Sequence, residues 1–174
     1  MSELTLLETD RLVLSGWRAD QLDDLMRLHG DPRVAQFLSA HGKAWSEAEM
    51  RVSLDSWIVL FESRRLGKLR VTRKADGVLV GRAGFGIYDV TGEPEIGYSM
   101  FPEFWGQGYA LEASRGLKDW LFRETDTPRF LGYADVRNAH SISVLHRLGM
   151  VATHVAKLAD GQVCRFHVME RPQS

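Results

Sequence analysis

Cysteine is almost absent from this sequence: among 174 residues there is one, Cys164. A single cysteine cannot close an internal disulfide, and no set of cysteines and histidines has the spacing of a metal site. A disulfide-stapled scaffold is therefore excluded, a reducing compartment is the natural setting, and we expect no metal. On its predicted late strand, Cys164 is interpreted as a small core residue rather than a nucleophile.

Long apolar runs are also missing, because no stretch approaches the roughly 20 residues that span a bilayer. The first ten residues carry three acidic side chains, which does not suit a secretory signal. The formal net charge is only -1, so nothing in the bulk charge favours nucleic acid or an anionic membrane. These absences predict a cytoplasmic protein without direct nucleic-acid or membrane partners.

What the sequence does contain is an ordinary globular balance, with 44% hydrophobic and 26% charged residues. No repeat, low-complexity block or linker divides it. We therefore expect one domain over residues 1–174, with a core at about 8–170.

The hydrophobic pattern predicts a short strand at residues 12–14, then two amphipathic helices. Asp20 is expected to cap the first helix and Asp31-Pro32 to end it, and Ser46 with Glu49 has capping-box spacing for the second. From about residue 68 the apolar residues alternate. That alternation and the turn at Asp76-Gly77 predict three antiparallel strands in a meander, ending at residue 100.

Helical and strand patterns then alternate to the end of the chain. A helix follows the glycines near residue 107, a strand covers 130–134, and Asn138 and Gly149 bracket a short helix. Two final strands flank Asp160-Gly161. This order predicts a single α/β (α+β) domain, a mixed and mostly antiparallel sheet with about four helices packed on it. An exposed final strand would permit a homodimer.

The most informative stretch is the loop WGQGYA at 105–110, between a predicted strand and a helix. Gly106 and Gly108 allow a tight turn and a close backbone approach, and the following helix begins with unpaired N–H groups. Together these features predict a phosphate or pyrophosphate site. The alternative is a plain strand-to-helix connection, since short glycine motifs recur by chance. No Walker loop follows, and a third glycine is missing for a dinucleotide fingerprint.

Together with EIGYSM at 95–100 and Pro102, this loop closely resembles the acetyl-CoA-binding signature of the GNAT superfamily. It looks most similar to the Rim-type N-acetyltransferases that modify ribosomal-protein N-termini. The resemblance covers nearly the whole chain. ETDRLVL at 8–14 resembles that branch's opening strand, DPRV at 31–34 with Phe37 the end of its first helix, and the second cofactor-side motif is matched by Asn138, Ser141, Leu145, Leu148 and Gly149.

The resemblance implies acetyl-CoA as the co-substrate and assigns residues to it. The strand ending at Met100 would diverge from its neighbour and pair its free backbone groups with pantetheine amides, and Asn138 would contact the pantetheine arm. The loop would hold the pyrophosphate through backbone N–H groups rather than a side-chain cation, because tryptophan stands where the wider superfamily often has arginine or glutamine. Its residues are Trp105, Gly106, Gln107, Gly108, Tyr109 and Ala110.

Acyl transfer by direct attack needs a neutral amine, a stabilised oxyanion and a proton for the departing thiolate. Glu95 closely matches the place of a base in related superfamily members; the alternatives are a solvent-facing residue or an amine anchor. Asp135 ends the next predicted strand, where some peptide N-terminal acetyltransferases have a carboxylate, although loop capping is the favoured alternative because aspartate is common at turns. Ser141 could donate to the thiolate, contact the cofactor or bond the backbone.

No tyrosine clearly fills the place of the general acid, although Tyr109 and Tyr133 are near in sequence. The basic run from Arg64 to Arg70 is interpreted as a solvated face, with docking of an adenosine phosphate or an acidic substrate as the alternative. Three tryptophans of the N-terminal half can pack in the core or line a substrate cleft: Trp17, Trp45 and Trp57.

We therefore expect an enzyme that transfers an acetyl group from acetyl-CoA to a primary amine by direct attack. The acceptor would be a protein N-terminal α-amine or a small-molecule amine. Two alternatives stay open: a non-catalytic acyl-CoA-binding sensor or partner module, and a nucleotide-binding module of another fold. The sequence leaves open the acceptor, the general acid, the oligomeric state and the range of acyl groups.

Overall fold

The computed structural model describes residues 3–174, which fold around one eight-stranded mixed sheet. The strands are β1 (Thr5–Glu8), β2 (Leu12–Ser15), β3 (Gly67–Arg73), β4 (Leu79–Ile87), β5 (Pro94–Met100), β6 (Arg129–Asp135), β7 (Val151–Lys157) and β8 (Val163–Glu170). The helices are α1 (Leu22–His29), α2 (Pro32–Ala35), α3 (Glu47–Arg64), α4 (Tyr109–Glu124) and α5 (Ala139–Leu148). No helix formed by residues 3–174 combines the length and apolar character needed to cross a membrane.

The sheet order is β1-β2-β3-β4-β5-β6-β8-β7. The expected meander is confirmed, because β3, β4 and β5 pair antiparallel in sequence. The predicted caps of two helices are confirmed as well. Ser46 and Glu49 form a reciprocal capping box on α3, and the Asn138 side chain accepts a hydrogen bond from the Ser141 N–H at the start of α5.

Three details differ from the sequence-based expectation. Strand β1, which precedes the predicted first strand, was not expected. Asp20 does not cap α1: it lies in a 3-10 turn, and the residue before α1 is Gln21. The final strand is not an exposed edge, because β8 lies between β6 and β7, and β7 is the edge strand. The last strand in the chain, β8, is inside the sheet because the strand before it, β7, pairs with the side of β8 that faces away from β6.

Two layers of helices cover the sheet. The larger core cluster contains Phe85, Ile96 and Phe130 from the sheet and Leu117 and Leu145 from α4 and α5. A smaller cluster joins residues before and within α1 to α3, and its buried members are Trp17, Leu22, Leu25, Met50 and Leu54. The sheet therefore has helices on both faces, and charged side chains between the layers need specific partners.

Strands β5 and β6 run parallel and share a register of two pairs, Glu95 with Leu131 and Ile96 with Gly132. Beyond them β5 stays paired with β4 as far as Met100, while β6 stays paired with β8 as far as Asp135. The two strands therefore diverge, and we call the gap between them the β5–β6 opening.

Candidate active site

Two cavities meet at the β5–β6 opening. The inner cavity, of about 320 Å³, reaches toward α1 and α3, and Glu95 and Trp57 are among the residues that line it. The loop-side cavity, of about 410 Å³, reaches toward the glycine loop, and Trp105 and Gly106 are among its lining residues. Six residues line both cavities: Val34, Phe37, Tyr98, Ser99, Asn138 and Ser141. A ligand in one cavity can therefore reach a ligand in the other.

The glycine loop has the backbone conformation that its sequence requires. Gly106 and Gly108 have φ values of 77° and 80°, in the left-handed region that L side chains rarely adopt. A Cβ on Gly106 would meet nothing within 4 Å, so the loop surface is open to a ligand. Gly108 is the N-cap of α4, and the first N–H groups of a helix have no partner within it. The loop can therefore hold an anion.

A side-chain cation lies next to this loop, which the sequence did not predict. The Arg11 guanidinium stands over the Tyr109 ring at 4.5 Å and forms an ion pair of 2.7 Å with Glu112. Its Nη2 lies 3.5 Å from the place that a Cβ on Gly108 would take. No short-range pattern links Arg11 to the loop, because β2 and α4 become neighbours only in the folded chain.

Strand β5 directs alternate backbone groups into the opening. The N–H of Phe101 bonds the Val80 carbonyl of β4 at 2.9 Å. Because successive residues of a strand present their N–H and C=O to opposite neighbours, Tyr98 and Met100 direct theirs toward the opening. The Trp105 indole N–H donates to the Met100 carbonyl at 2.8 Å. The remaining groups are in place to pair with an extended amide-containing ligand.

A pair of hydroxyl groups lies at the junction of the two cavities. The Tyr98 hydroxyl donates to the Ser141 carbonyl at 2.8 Å, and Ser141 Oγ donates to the Tyr98 hydroxyl at 3.1 Å. Burial raises the pKa of Tyr98 far above its usual value, so the phenol stays protonated at neutral pH. Sequence reasoning missed Tyr98 because a tyrosine on a predicted strand is typical of core packing. Its place on the strand of Glu95 was the available signal.

Glu95 faces the inner cavity in a buried ion pair with Lys68 of β3. Glu95 Oε2 and Lys68 Nζ are 2.7 Å apart, and the two side chains are 14% and 10% exposed. Lys68 Nζ also donates to the Glu95 carbonyl at 3.2 Å. Burial lowers the pKa of Lys68, and the Glu95 charge opposes that shift. The expected solvated face is therefore wrong for Lys68, because its strand lies between two helical layers.

Glycines make room for this pair. A Cβ on Gly97 would lie 2.5 Å from Lys68 Nζ, and one on Gly84 would lie 1.9 Å from the Gly67 carbonyl. The two glycines face each other across β4 and β5. A side chain at Gly97 would displace the Lys68 ammonium group from the carboxylate, and one at Gly84 would clash with the backbone of β3. The tryptophans divide between the two expected roles. Trp17 is buried and donates to the Lys68 carbonyl at 2.7 Å, whereas Trp45 and Trp57 line the inner cavity.

Asp135 ends β6 at the rim of the inner cavity, but its oxygens are already engaged. Oδ2 accepts from Arg137 Nη2 at 2.8 Å and from Gln162 Nε2 at 3.2 Å. Oδ1 accepts from Arg137 Nε and from the Arg137 backbone N–H, each at 2.9 Å. The Arg137 guanidinium is the main reason that the pKa of Asp135 falls to about 2. A carboxylate of this kind is a weak base and a strong turn organiser.

Cys164 lines the inner cavity and is buried, and burial raises the pKa of its thiol to about 11. It therefore stays protonated, as a small core residue would. Within the part of the chain that the structure describes, no three side chains among His, Cys, Asp and Glu come together as a metal site.

The family description "Acetyltransferase (GNAT) domain" matches residues 11–151, and the chain belongs to this family. Uncharacterized N-acetyltransferase p20 of Bacillus licheniformis is 26% identical over 144 residues, which are 82% of this chain and 80% of p20. The acetyltransferase of Agrobacterium tumefaciens str. C58 has a similar structure, with a TM-score of 0.83 and 22% identity over 98% of this chain and 96% of that one.

A further similar structure is RimL, the ribosomal L7/L12 alpha-N-protein acetyltransferase, in complex with coenzyme A. Its TM-score is 0.76 with 20% identity, over 95% of this chain and 97% of RimL. The predicted family, fold and co-substrate are confirmed: this chain is an acetyl-CoA-dependent N-acetyltransferase with a GNAT fold. Rim-type enzymes are among its structural neighbours, and the alternative of a nucleotide-binding module of another fold is excluded.

Proposed function

We propose that acetyl-CoA enters through the loop-side cavity and that a primary amine attacks its thioester from the inner cavity. The observation that carries this proposal is the β5–β6 opening, where the two cavities meet. Glu95 stands on one side of this junction, and the hydroxyl pair of Tyr98 and Ser141 stands on the other. Such an arrangement places a proton acceptor near the amine and a proton donor near the leaving group.

Coenzyme A binding would rest mainly on backbone groups. The N–H groups of Gln107, Gly108, Tyr109 and Ala110 are expected to hold the pyrophosphate at the start of α4, with Arg11 nearby as a cation. The backbone of Tyr98 and Met100 would pair with the pantetheine amides. Asn138 uses its Oδ1 to cap α5, which leaves the amide N–H groups for the pantetheine arm.

In the transfer step, the amine nitrogen would attack the thioester carbonyl carbon and form a tetrahedral oxyanion. The C–S bond would then break and release the thiolate. Glu95 would take the amine proton directly or through a water, while Tyr98, hydrogen-bonded to Ser141, would protonate the thiolate. A β5 backbone N–H facing the opening would stabilise the oxyanion. Asp135, held by Arg137, would shape the turn before α5 rather than move a proton.

The preferred acceptor is proposed to be an α-amine or another weakly basic amine rather than a lysine side chain. An α-amine has a pKa of about 8, so a useful fraction of it is neutral near pH 7, whereas a lysine side chain, with a pKa of about 10.4, is almost entirely charged. Glu95 is already paired with Lys68, which favours the acceptor that needs the weaker base.

Two competing peptides test the acceptor class with acetyl-CoA: one with a free N-terminus and no lysine, and one N-terminally blocked with a lysine. Release of free CoA thiol with the first peptide is expected. Acetylation of only the blocked peptide would overturn the α-amine preference, and activity on neither would favour small-molecule amines such as amino acids or polyamines. Absence of CoA release with any amine would favour the acyl-CoA-binding sensor.

A cytoplasmic setting and a homodimer stay predictions. The exposed β7 edge, with Val151 and Val155 at its surface, would permit strand pairing between two copies. Light scattering at several protein concentrations measures the oligomeric state, and a monomer at all of them would contradict the homodimer.

A further inference from the structure

Arg82 of β4 is a buried cation on the wall of the inner cavity. It is 6% exposed, and its Nε donates to His29 Nε2 at 2.8 Å. The guanidinium also lies over the Trp57 ring, 5.3 Å from the centroid. These contacts fix its orientation. Among residues 3–174, however, the buried Nη1 has no hydrogen-bond partner. The guanidinium therefore has a fixed orientation, but one of its buried nitrogen donors lacks an acceptor.

Arg82 also forms no ion pair among the residues that the structure describes, although the charge of Glu95 acts on it through space. Glu95 is bonded to Lys68 at 2.7 Å, and Arg70, opposite Arg82 on β3, is paired with Asp24 at 2.6 Å. His29 is neutral, because burial and then the Arg82 charge hold its pKa well below the usual value. One positive charge in the wall of the cavity is thus left without an anion.

We propose that the amine acceptor of this enzyme carries a carboxylate, and that this carboxylate binds the Arg82 guanidinium. The inference rests on the proposed use of the inner cavity by the acceptor. A buried charge without a partner is costly, and arginine offers a planar fork that matches a carboxylate. The ligand would supply the missing anion, so acceptors without a carboxylate would leave Arg82 unpaired.

The register of the sheet gives the spacing. Arg82 is opposite Ser99, while the β5–β6 opening begins near Gly97, which is opposite Gly84. Two residues along a strand span about 7 Å. Because the hydrogen bond from the guanidinium to a carboxylate covers about 3 Å of this interval, an amine at the opening and a carboxylate at Arg82 can belong to one small molecule, such as an amino acid, or to one acidic residue at a peptide N-terminus. The shared chemistry is a primary amine with a nearby carboxylate.

Two sets of acceptors distinguish these sources, each assayed by release of CoA thiol. The first compares free amino acids with their carboxamides. The second compares lysine-free, C-terminally amidated peptides that begin with Asp or Glu with peptides that begin with Asn or Gln. We expect kcat/KM to be about 10- to 100-fold higher for the acid in at least one set, the range of a charge-assisted hydrogen-bonded pair.

The variant Arg82→Gln should reduce this preference to less than about twofold. The variant Arg82→Lys keeps the charge but not the planar guanidinium, so it should retain part of the preference. The matched control is Arg70→Gln, which should leave the preference unchanged because Arg70 is already paired with Asp24. Melting temperature and CoA affinity by calorimetry report whether each variant is folded. If Arg82→Gln does not fold, the comparison is made with Arg82→Lys.

Equal rates for acids and amides in wild type, or a preference that survives Arg82→Gln, would overturn the inference. If no amine is acetylated at all, the proposed function fails separately. Calorimetry of the CoA-bound protein with the same acids and amides then decides about the site. Binding of the acids that depends on Arg82 supports the anion site, and equal or absent binding refutes it.

Discussion

Glu95→Gln tests the proton chemistry and the buried ion pair at the same time. The substitution removes the carboxylate that lies 2.7 Å from Lys68 Nζ. Breaking a buried ion pair on one side costs about 3–5 kcal/mol, and the glutamine oxygen can still accept the Lys68 hydrogen bond, so we expect about 3 kcal/mol from urea unfolding. Loss of a general base lowers turnover by about 10²–10⁴-fold, and less if a water relays the proton.

Turnover should fall more than CoA affinity. The double variant Lys68→Met with Glu95→Gln separates stability from catalysis, because it removes the unpaired ammonium group as well. It should regain stability while turnover stays low. If the single variant keeps wild-type turnover across pH, or if the double variant recovers turnover together with stability, Glu95 is not the base.

Three further substitutions test the remaining assignments. Gly108→Glu should abolish CoA binding in a folded protein, because its carboxylate would take the place of the pyrophosphate; unchanged affinity by calorimetry would remove the phosphate-loop assignment. Asp135→Asn should cost about 2 kcal/mol of stability at pH 7 with little loss of turnover. The pKa of Asp135 is about 2 against an ordinary 3.8, so its stabilisation is present above about pH 4 and is lost as the pH falls through about 2. The stability of the variant should therefore depend less on pH in this range, as measured by acid unfolding. Tyr98→Phe should lower kcat by about 10²-fold with CoA affinity retained, and a change below about threefold would exclude Tyr98 as the acid.

The sequence predicted well those features that depend on residues close together in the chain. The capping box at Ser46, the cap at Asn138 and the helix after Gly108 all follow from the preferences of neighbouring residues, and each is present. The meander was predicted for the same reason, since alternation and turn signals are local. Asp20 was misplaced as a cap because it lies within a 3-10 turn, and α1 begins one residue later than that cap would place it.

What the sequence could not provide are contacts between elements that are far apart in the chain. Lys68 and Glu95 are separated by 27 positions, and Arg82 and His29 by 53, so no periodicity links them. Tyr98 and Ser141 meet only because α5 packs over the β5–β6 opening. Burial also reverses the usual interpretation of charged strand residues. In strands of alternating pattern, Lys68 and Arg82 would be expected to face solvent, but here the layer of α1 and α3 covers them.

The short register between β5 and β6 has a consequence for motion. Among residues 3–174, only the pairs at Glu95 and Ile96 connect the β1–β5 part of the sheet to the β6–β8 part by strand pairing. When pantetheine amides occupy the β5–β6 opening beyond these two pairs, the ligand supplies the hydrogen bonds that β6 does not make to β5. Amide hydrogens of Tyr98 and Met100 should then exchange with solvent more slowly, and the two parts of the sheet should move less independently. In this sense the co-substrate is also a temporary structural element of the enzyme that consumes it.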